Sequence, residues 1–197
     1  MDYVRLREYM SGEVPAKMLA HIDRVVKLAG FFGEKYGLNV PEIKLAAQGH
    51  DLFRALPQKE LLQKAKDMDL DIHPVELNSP VLLHGPLAAI ELKERFNIKN
   101  PQVLETIKWH TTGHPEFSLE SWAMFIADKV EPNKIAKNSD LQIVSDIAGE
   151  SLEKAALTYI DIRINEALQL GLQIHPMSIH TRNTLLSKFD AISNSGG

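Results

Sequence analysis

The chain contains no cysteine. That excludes a disulfide scaffold and any thiolate metal site, so a bound metal must be held by imidazole nitrogen and carboxylate oxygen. The lack fits a reducing cytoplasm, although it is compatible with any compartment. No apolar run approaches the roughly 18 residues that a membrane span needs. Met1-Asp2-Tyr3-Val4-Arg5 also lacks the apolar core of a signal peptide. Basic residues are scattered, and the net charge is -4. Nucleic-acid binding wants a basic face and is not expected. Alternating strand patterns and internal repeats are missing too. The remaining expectation is an all-α protein acting in the cytoplasm, with neither a membrane nor a nucleic-acid partner.

What is there is helical. The 197 residues suit one domain over 1–197, with a core over about 15–190 and a flexible tail over 193–197. From Pro15 to Tyr36, Met18, Ile22, Val25, Ala29, Phe32 and Tyr36 form one helix face, which Gly37 ends. Pro41 can open a second helix carrying His50, then Leu52, Phe53 and Leu56 up to Pro57. Residues 58–68 read as a short polar helix, followed by a loop to Pro80. A helix from Leu87 to Phe96 comes next, then one capped by Asn100-Pro101. Leu119 to Glu131 is apolar nearly all round and should be buried. One long helix is expected over 139–170, kinked at Gly149 and capped by Gly171, with a last helix over 178–192.

Within this frame, His21, His50-Asp51, His84, His110 and Asp128 are all metal-ligand types. Each lies in or beside an apolar helical segment, where an unpaired charge is costly. They are more ligands than one ion needs, so two divalent ions are expected, and paired metals most often serve phosphate esters. Asp51 has two oxygens and can bridge both ions. The alternatives are a salt bridge from Asp128 to Lys or Arg, and ordinary helix-end roles for the histidines taken singly. His84 precedes Gly85-Pro86 and a helix start, whose free amides favour an anion. Thr111-Thr112-Gly113 offers two hydroxyls to phosphate or ribose. His175 is expected to fix a turn, His180 to be solvated, and His73 is assigned no role. Met68, Met124 and Met177 are expected to pack.

The doublet His50-Asp51 is the one that names the HD-domain phosphohydrolases. Leu83-His84-Gly85-Pro86, Trp109-His110-Thr111-Thr112-Gly113, Ala127-Asp128-Lys129-Val130-Glu131-Pro132, Ile174-His175-Pro176 and Thr181-Arg182-Asn183 resemble the YqeK family over roughly residues 15–190. The resemblance implies an HD-domain helical bundle with a buried two-metal site. It implies symmetrical hydrolysis of diadenosine tetraphosphate to two ADP by metal-activated water. One iron would be held by His21, His50, Asp51 and Asp128, and the other by Asp51, His84 and His110. Manganese, cobalt or zinc would also suit the donors. Asp51 and Arg54 would be catalytic. Arg54, His84, Thr111, Thr112, Gly113, Arg182 and Asn183 would bind the nucleotide.

Four positions depart from the family pattern: Arg54 replaces lysine, Gln48-Gly49 replaces two leucines, and His114 replaces arginine. Arginine offers a flat fork where lysine offers a point charge. Glycine at 49 should loosen the helix carrying two ligands, and His114 could lose a phosphate contact or add a titratable donor. Another nucleotidase and a non-catalytic nucleotide sensor remain open as alternatives, as does a homodimer.

Overall fold

The computed structural model describes the backbone of residues 2–195 and the side chains of residues 3–191. Among the described residues the elements are helices alone, joined by short connections. In chain order they are α1 (Asp2–Glu13), α2 (Ala16–Lys35), α3 (Val40–Gly49), α4 (Gln58–Asp67) and α5 (Pro74–Asn78). A 3-10 turn, Pro80–Leu83, leads into α6 (His84–Phe96) and α7 (Pro101–Trp109). The chain continues through α8 (Leu119–Val130), α9 (Pro132–Lys137), α10 (Leu141–Ala148), α11 (Leu152–Gln169) and α12 (Pro176–Ser195).

α8 is the axis of the bundle. Every residue from Ser121 to Val130 is buried, and the helix packs on α2, α3, α7, α10 and α11. Trp122, Met124 and Phe125 are among the largest fully buried side chains. Each such side chain contributes about 1.5–3 kcal/mol of apolar transfer. The expected caps are present. Asn100 accepts from the N–H groups of Gln102 and Val103 ahead of Pro101, and Ser118 accepts from Ser121 N. Gly37 and Gly171 both adopt φ of 65°, the left-handed conformation that ends a helix.

Several expectations are corrected. The core begins before residue 15, because α1 buries Leu6 and Met10 and the following turn buries Val14. Helix α3 stops at Gly49, and residues 51–56 form successive turns. The predicted loop before Pro80 contains α5, capped by His73, whose Nδ1 accepts from Val75 N while Glu76 accepts from His73 N. Local turn chemistry thus organises a stretch with too little apolar periodicity to read. The long helix over 139–170 is two helices, because Ser151 caps a new start by accepting from Lys154 N. Helix α12 includes residues 193–195 of the supposed tail, and 196–197 lie outside the described residues. No helix among the described residues is long and apolar enough to cross a membrane.

Candidate metal centre and pocket

Three of the singled-out histidines stand at helix ends for one shared reason. His50 follows the last residue of α3, His110 follows the last residue of α7, and His84 follows the 3-10 turn. The last carbonyls of a helix have no intrahelical partner. Each ring takes one three residues back. His50 Nδ1 lies 2.7 Å from Ala47 O, His110 Nδ1 2.7 Å from Ile107 O, and His84 Nδ1 bonds Val81 O. A carbonyl only accepts, so each Nδ1 carries the proton and each Nε2 presents a lone pair.

Those lone pairs converge on Asp51. Its Oδ1 lies 3.1 Å from His84 Nε2 and 3.6 Å from His110 Nε2. Its Oδ2 lies 3.5 Å from His50 Nε2 and 3.6 Å from His21 Nε2. Asp128 Oδ1 joins the second set, 3.2 Å from His21 Nε2 and 3.6 Å from His50 Nε2. The two oxygens of one carboxylate therefore face two separate pairs of imidazoles.

The arrangement fits divalent metal ions. His84 Nε2 and His110 Nε2 are 2.9 Å apart. With both Nδ1 atoms already donating, neither Nε2 has a proton to share, and a cation resolves the contact. His50 Nε2 is buried with no hydrogen-bond partner. His21, His50 and Asp51, and likewise Asp51, His84 and His110, bring ligand atoms within 4.8 Å of one another. Burial pushes His110 down to about 3, which keeps it neutral as a ligand must be. Burial alone would raise Asp51 and Asp128. It is outweighed by His50 at Asp51 and by Lys129 and Lys134 at Asp128, so both carboxyls stay well below their usual range.

Both readings of Asp128 hold at once. It is 3% exposed and faces His21 and His50, and it also pairs with Lys129 Nζ at 2.6 Å and Lys134 Nζ at 2.7 Å. The lysines, not a metal alone, supply its counter-charge. Lys129 also donates to His110 O at 2.9 Å. Neither lysine nor Arg163 was singled out from sequence. Lys129 adjoins Asp128, which is a signal, whereas Arg163 enters only because α11 packs on α8.

A cavity of about 390 Å³ opens on the Asp51–His84–His110 side of the cluster. Arg54, Lys129, Lys134 and Arg163 stand on its wall, with Thr111 and Thr112 beside His110. Ile160, Ile164, Ala167, Leu172 and Ile174 form an apolar side. Arg54 is exposed, and its guanidinium has no ion-pair partner among the described residues. Tyr159, also on the wall, is pushed up to about 12 by burial and remains a neutral phenol.

Of the other sequence-selected residues, Arg182, Asn183, Gly113 and His114 are not brought to this cavity. Arg182 spends its guanidinium on Asp161 at 2.5 Å and on Asn183 Oδ1 at 3.3 Å, and neither Arg182 nor Asn183 lines the wall. Gly113 serves the backbone: φ is 73°, and a Cβ there would lie 3.0 Å from Thr181 Cγ2. The start of α6 is no anion cradle, because Ile107 O and Lys108 O crowd Gly85 from outside. Gly49 does not loosen its helix. It lets Leu92 approach, whose Cδ2 would sit 2.4 Å from an added Cβ. His114 turns to Trp109, with ring centroids 5.7 Å apart, and does not reach the cavity. His175 does fix its turn, its Nδ1 accepting from Met177 N at 3.1 Å, and it also stands on the cavity wall, whereas His180 is exposed. Met68, Met124 and Met177 are buried or partly buried.

No family model matches the chain. It is 25% identical over 167 residues to the symmetrical bis(5'-nucleosyl)-tetraphosphatase of Bacillus subtilis, covering 85% of this chain and 88% of that one. The enzyme of the same name from Halalkalibacterium halodurans is 28% identical, covering 84% and 87%. A crystal structure from Clostridium acetobutylicum, described as an HD superfamily hydrolase involved in NAD metabolism, superimposes with a TM-score of 0.87. It is 27% identical, over 94% of this chain and 97% of that one. Along most of its length the chain is thus similar in sequence to symmetrical bis(5'-nucleosyl)-tetraphosphatases of the YqeK type, and it shares the helical fold of an HD superfamily hydrolase, with a His-Asp cluster at its centre.

Proposed function

We propose that the chain hydrolyses dinucleoside polyphosphates, cleaving diadenosine tetraphosphate symmetrically to two ADP. The observation that carries this is the split carboxylate of Asp51, one oxygen facing His84 and His110 and the other facing His21 and His50, at the floor of a cationic pocket. When bound, divalent ions would lower the pKa of a nearby water and offset charge on the phosphoryl oxygens. His21, His50, Asp51 and Asp128 would hold one ion, and Asp51, His84 and His110 the other. Iron is the proposed metal, on family resemblance, and manganese, cobalt and zinc suit the same donors.

The chain's own groups position the substrate. Arg54 stands at the mouth with a free guanidinium and would clamp a phosphate by two parallel hydrogen bonds. Lys134, paired with Asp128, and Arg163, paired with Glu166, also stand on the wall and would have to share their charge with a polyphosphate. Thr111 offers a hydroxyl to phosphate or ribose. The apolar side formed by Ile160, Ile164 and Leu172 suits a nucleobase and keeps water from that end. This set replaces Arg182, Asn183 and Gly113 in the binding role. The cytoplasm is the proposed setting, given the nucleotide substrate and the lack of cysteine, and a homodimer is left to light scattering.

The test is anaerobic incubation of iron-loaded protein with diadenosine tetraphosphate and chromatographic resolution of the products. ADP as sole product is expected. AMP with ATP would refute symmetrical placement of the phosphate chain. Absence of turnover with metal bound would refute the substrate and turn attention to a panel of nucleoside monophosphates.

A further inference from the structure

The four imidazoles at the centre are not oriented alike. His50, His84 and His110 each give Nδ1–H to a main-chain carbonyl. His21 alone has a carboxylate at that nitrogen, with Nδ1 3.3 Å from Glu131 Oε1, which accepts the Nδ1 proton when Nε2 is turned to a metal. His21 sits mid-helix in α2, where the backbone carbonyls are already taken, so a side chain must supply the acceptor. Glu131 lies at the junction of α8 and α9 and is 2% exposed. Its second oxygen accepts from Arg24 Nε at 2.5 Å and from Asn133 N at 3.1 Å, so both oxygens are engaged. Arg24 lies one turn beyond His21 on α2 and closes the chain Arg24–Glu131–His21.

We propose that Glu131 is a positioning residue that fixes His21 toward Asp51 and Asp128, and that this contact tunes one half of the metal centre independently of the other. A carboxylate acceptor makes the opposite ring nitrogen a stronger donor to a metal than a carbonyl acceptor does. Arg24 draws on the same carboxylate and moderates that gain. The His84–His110 half has no such contact, since both rings rest on main-chain oxygens. The inference rests on the two-metal reading of the cluster.

Calorimetric titration of the metal-free protein with Mn²⁺ tests it, with thermal unfolding recorded in parallel. Wild type is expected to bind two ions. In Glu131→Gln, affinity for one ion should fall about 10- to 100-fold while the other is unchanged. Arg24→Gln should shift the same step the opposite way, which keeps the proposal testable if the first variant folds poorly. In a His21→Ala background, Glu131→Gln should have no further effect on binding. A lower melting temperature with both affinities unchanged would overturn the proposal, leaving Glu131 as a cap for α9 only. Equal weakening of both steps would overturn it too. A wild type that binds a single ion would refute the two-metal reading instead.

Discussion

Gly85→Ala puts the geometry of the centre under strain at a known place. A Cβ at Gly85 would lie 2.8 Å from Ile107 O, 2.8 Å from Lys108 O and 3.2 Å from His110 Nδ1. An ordinary carbon–oxygen contact begins near about 3.3 Å, so the start of α6 must retreat from the end of α7 by about 0.5 Å. Both oxygens belong to the backbone, so no rotamer change relieves the clash. Overpacking of this kind costs about 1–3 kcal/mol, and replacing glycine in a helix returns up to about 1 kcal/mol. The net loss is about 1–2 kcal/mol, which lowers the melting temperature by about 2–8 °C in a chain of this size. The same shift moves His84, the preceding residue, away from His110, whose Nε2 lies 2.9 Å from its own. Metal sites tolerate about 0.2 Å, so the His84–His110 half should lose affinity while the His21–His50 half keeps it. Thermal unfolding with and without metal, and a count of bound ions after dialysis, check both parts. An unchanged melting temperature with two ions retained would refute the reasoning.

Asp51→Ala removes the carboxylate that faces both halves and should abolish turnover and the binding of both ions, measured by elemental analysis. Full activity in that variant would end the two-metal model. Arg54→Ala should lower kcat/KM about 10- to 100-fold, the worth of a charged hydrogen bond, whereas Arg182→Ala should stay within about threefold. In the metal-free protein, His110 has its pKa down at about 3 against an ordinary value of 6.5, so ring nitrogen resonances should report a neutral imidazole throughout pH 5–8. Because that folded value is depressed, the group's contribution to stability is complete above pH 6.5 and is lost as pH falls toward 3. Gly113→Ala forces a side chain into positive φ and should cost about 1–2 kcal/mol in denaturant unfolding.

The reading of sequence reached furthest where periodicity and chemistry coincided. Asp128 in the most apolar helix is visible as an anomaly without any structure, and so is the order of histidines around it. Helices α2 and α8 were legible because their buried stripes are long. What escaped was set by short-range or cross-chain geometry. Helix α5 rests on a histidine acting as a cap, a role that composition does not announce. The break between α10 and α11 depends on Ser151 winning a capping contact over helix continuation. Arg182 looked like a binding residue because its neighbours match a motif, yet Asp161 on α11 claims it. Arg163 carries no local signal at all. It reaches the pocket because of how α11 lies, a long-range fact.

The carbonyl contacts of His50, His84 and His110 bear on how such a centre can change over generations. An orienting partner on the main chain is present whatever amino acid stands there, so substitutions at Ala47, Val81 or Ile107 leave the acceptor in place. Three of the four imidazoles are thus insulated from point mutation of their supports. His21 depends on a side chain that a single substitution can delete or alter. Heritable adjustment of the centre is funnelled to that one support, while the rest of the ligand geometry is inherited with the helix ends themselves.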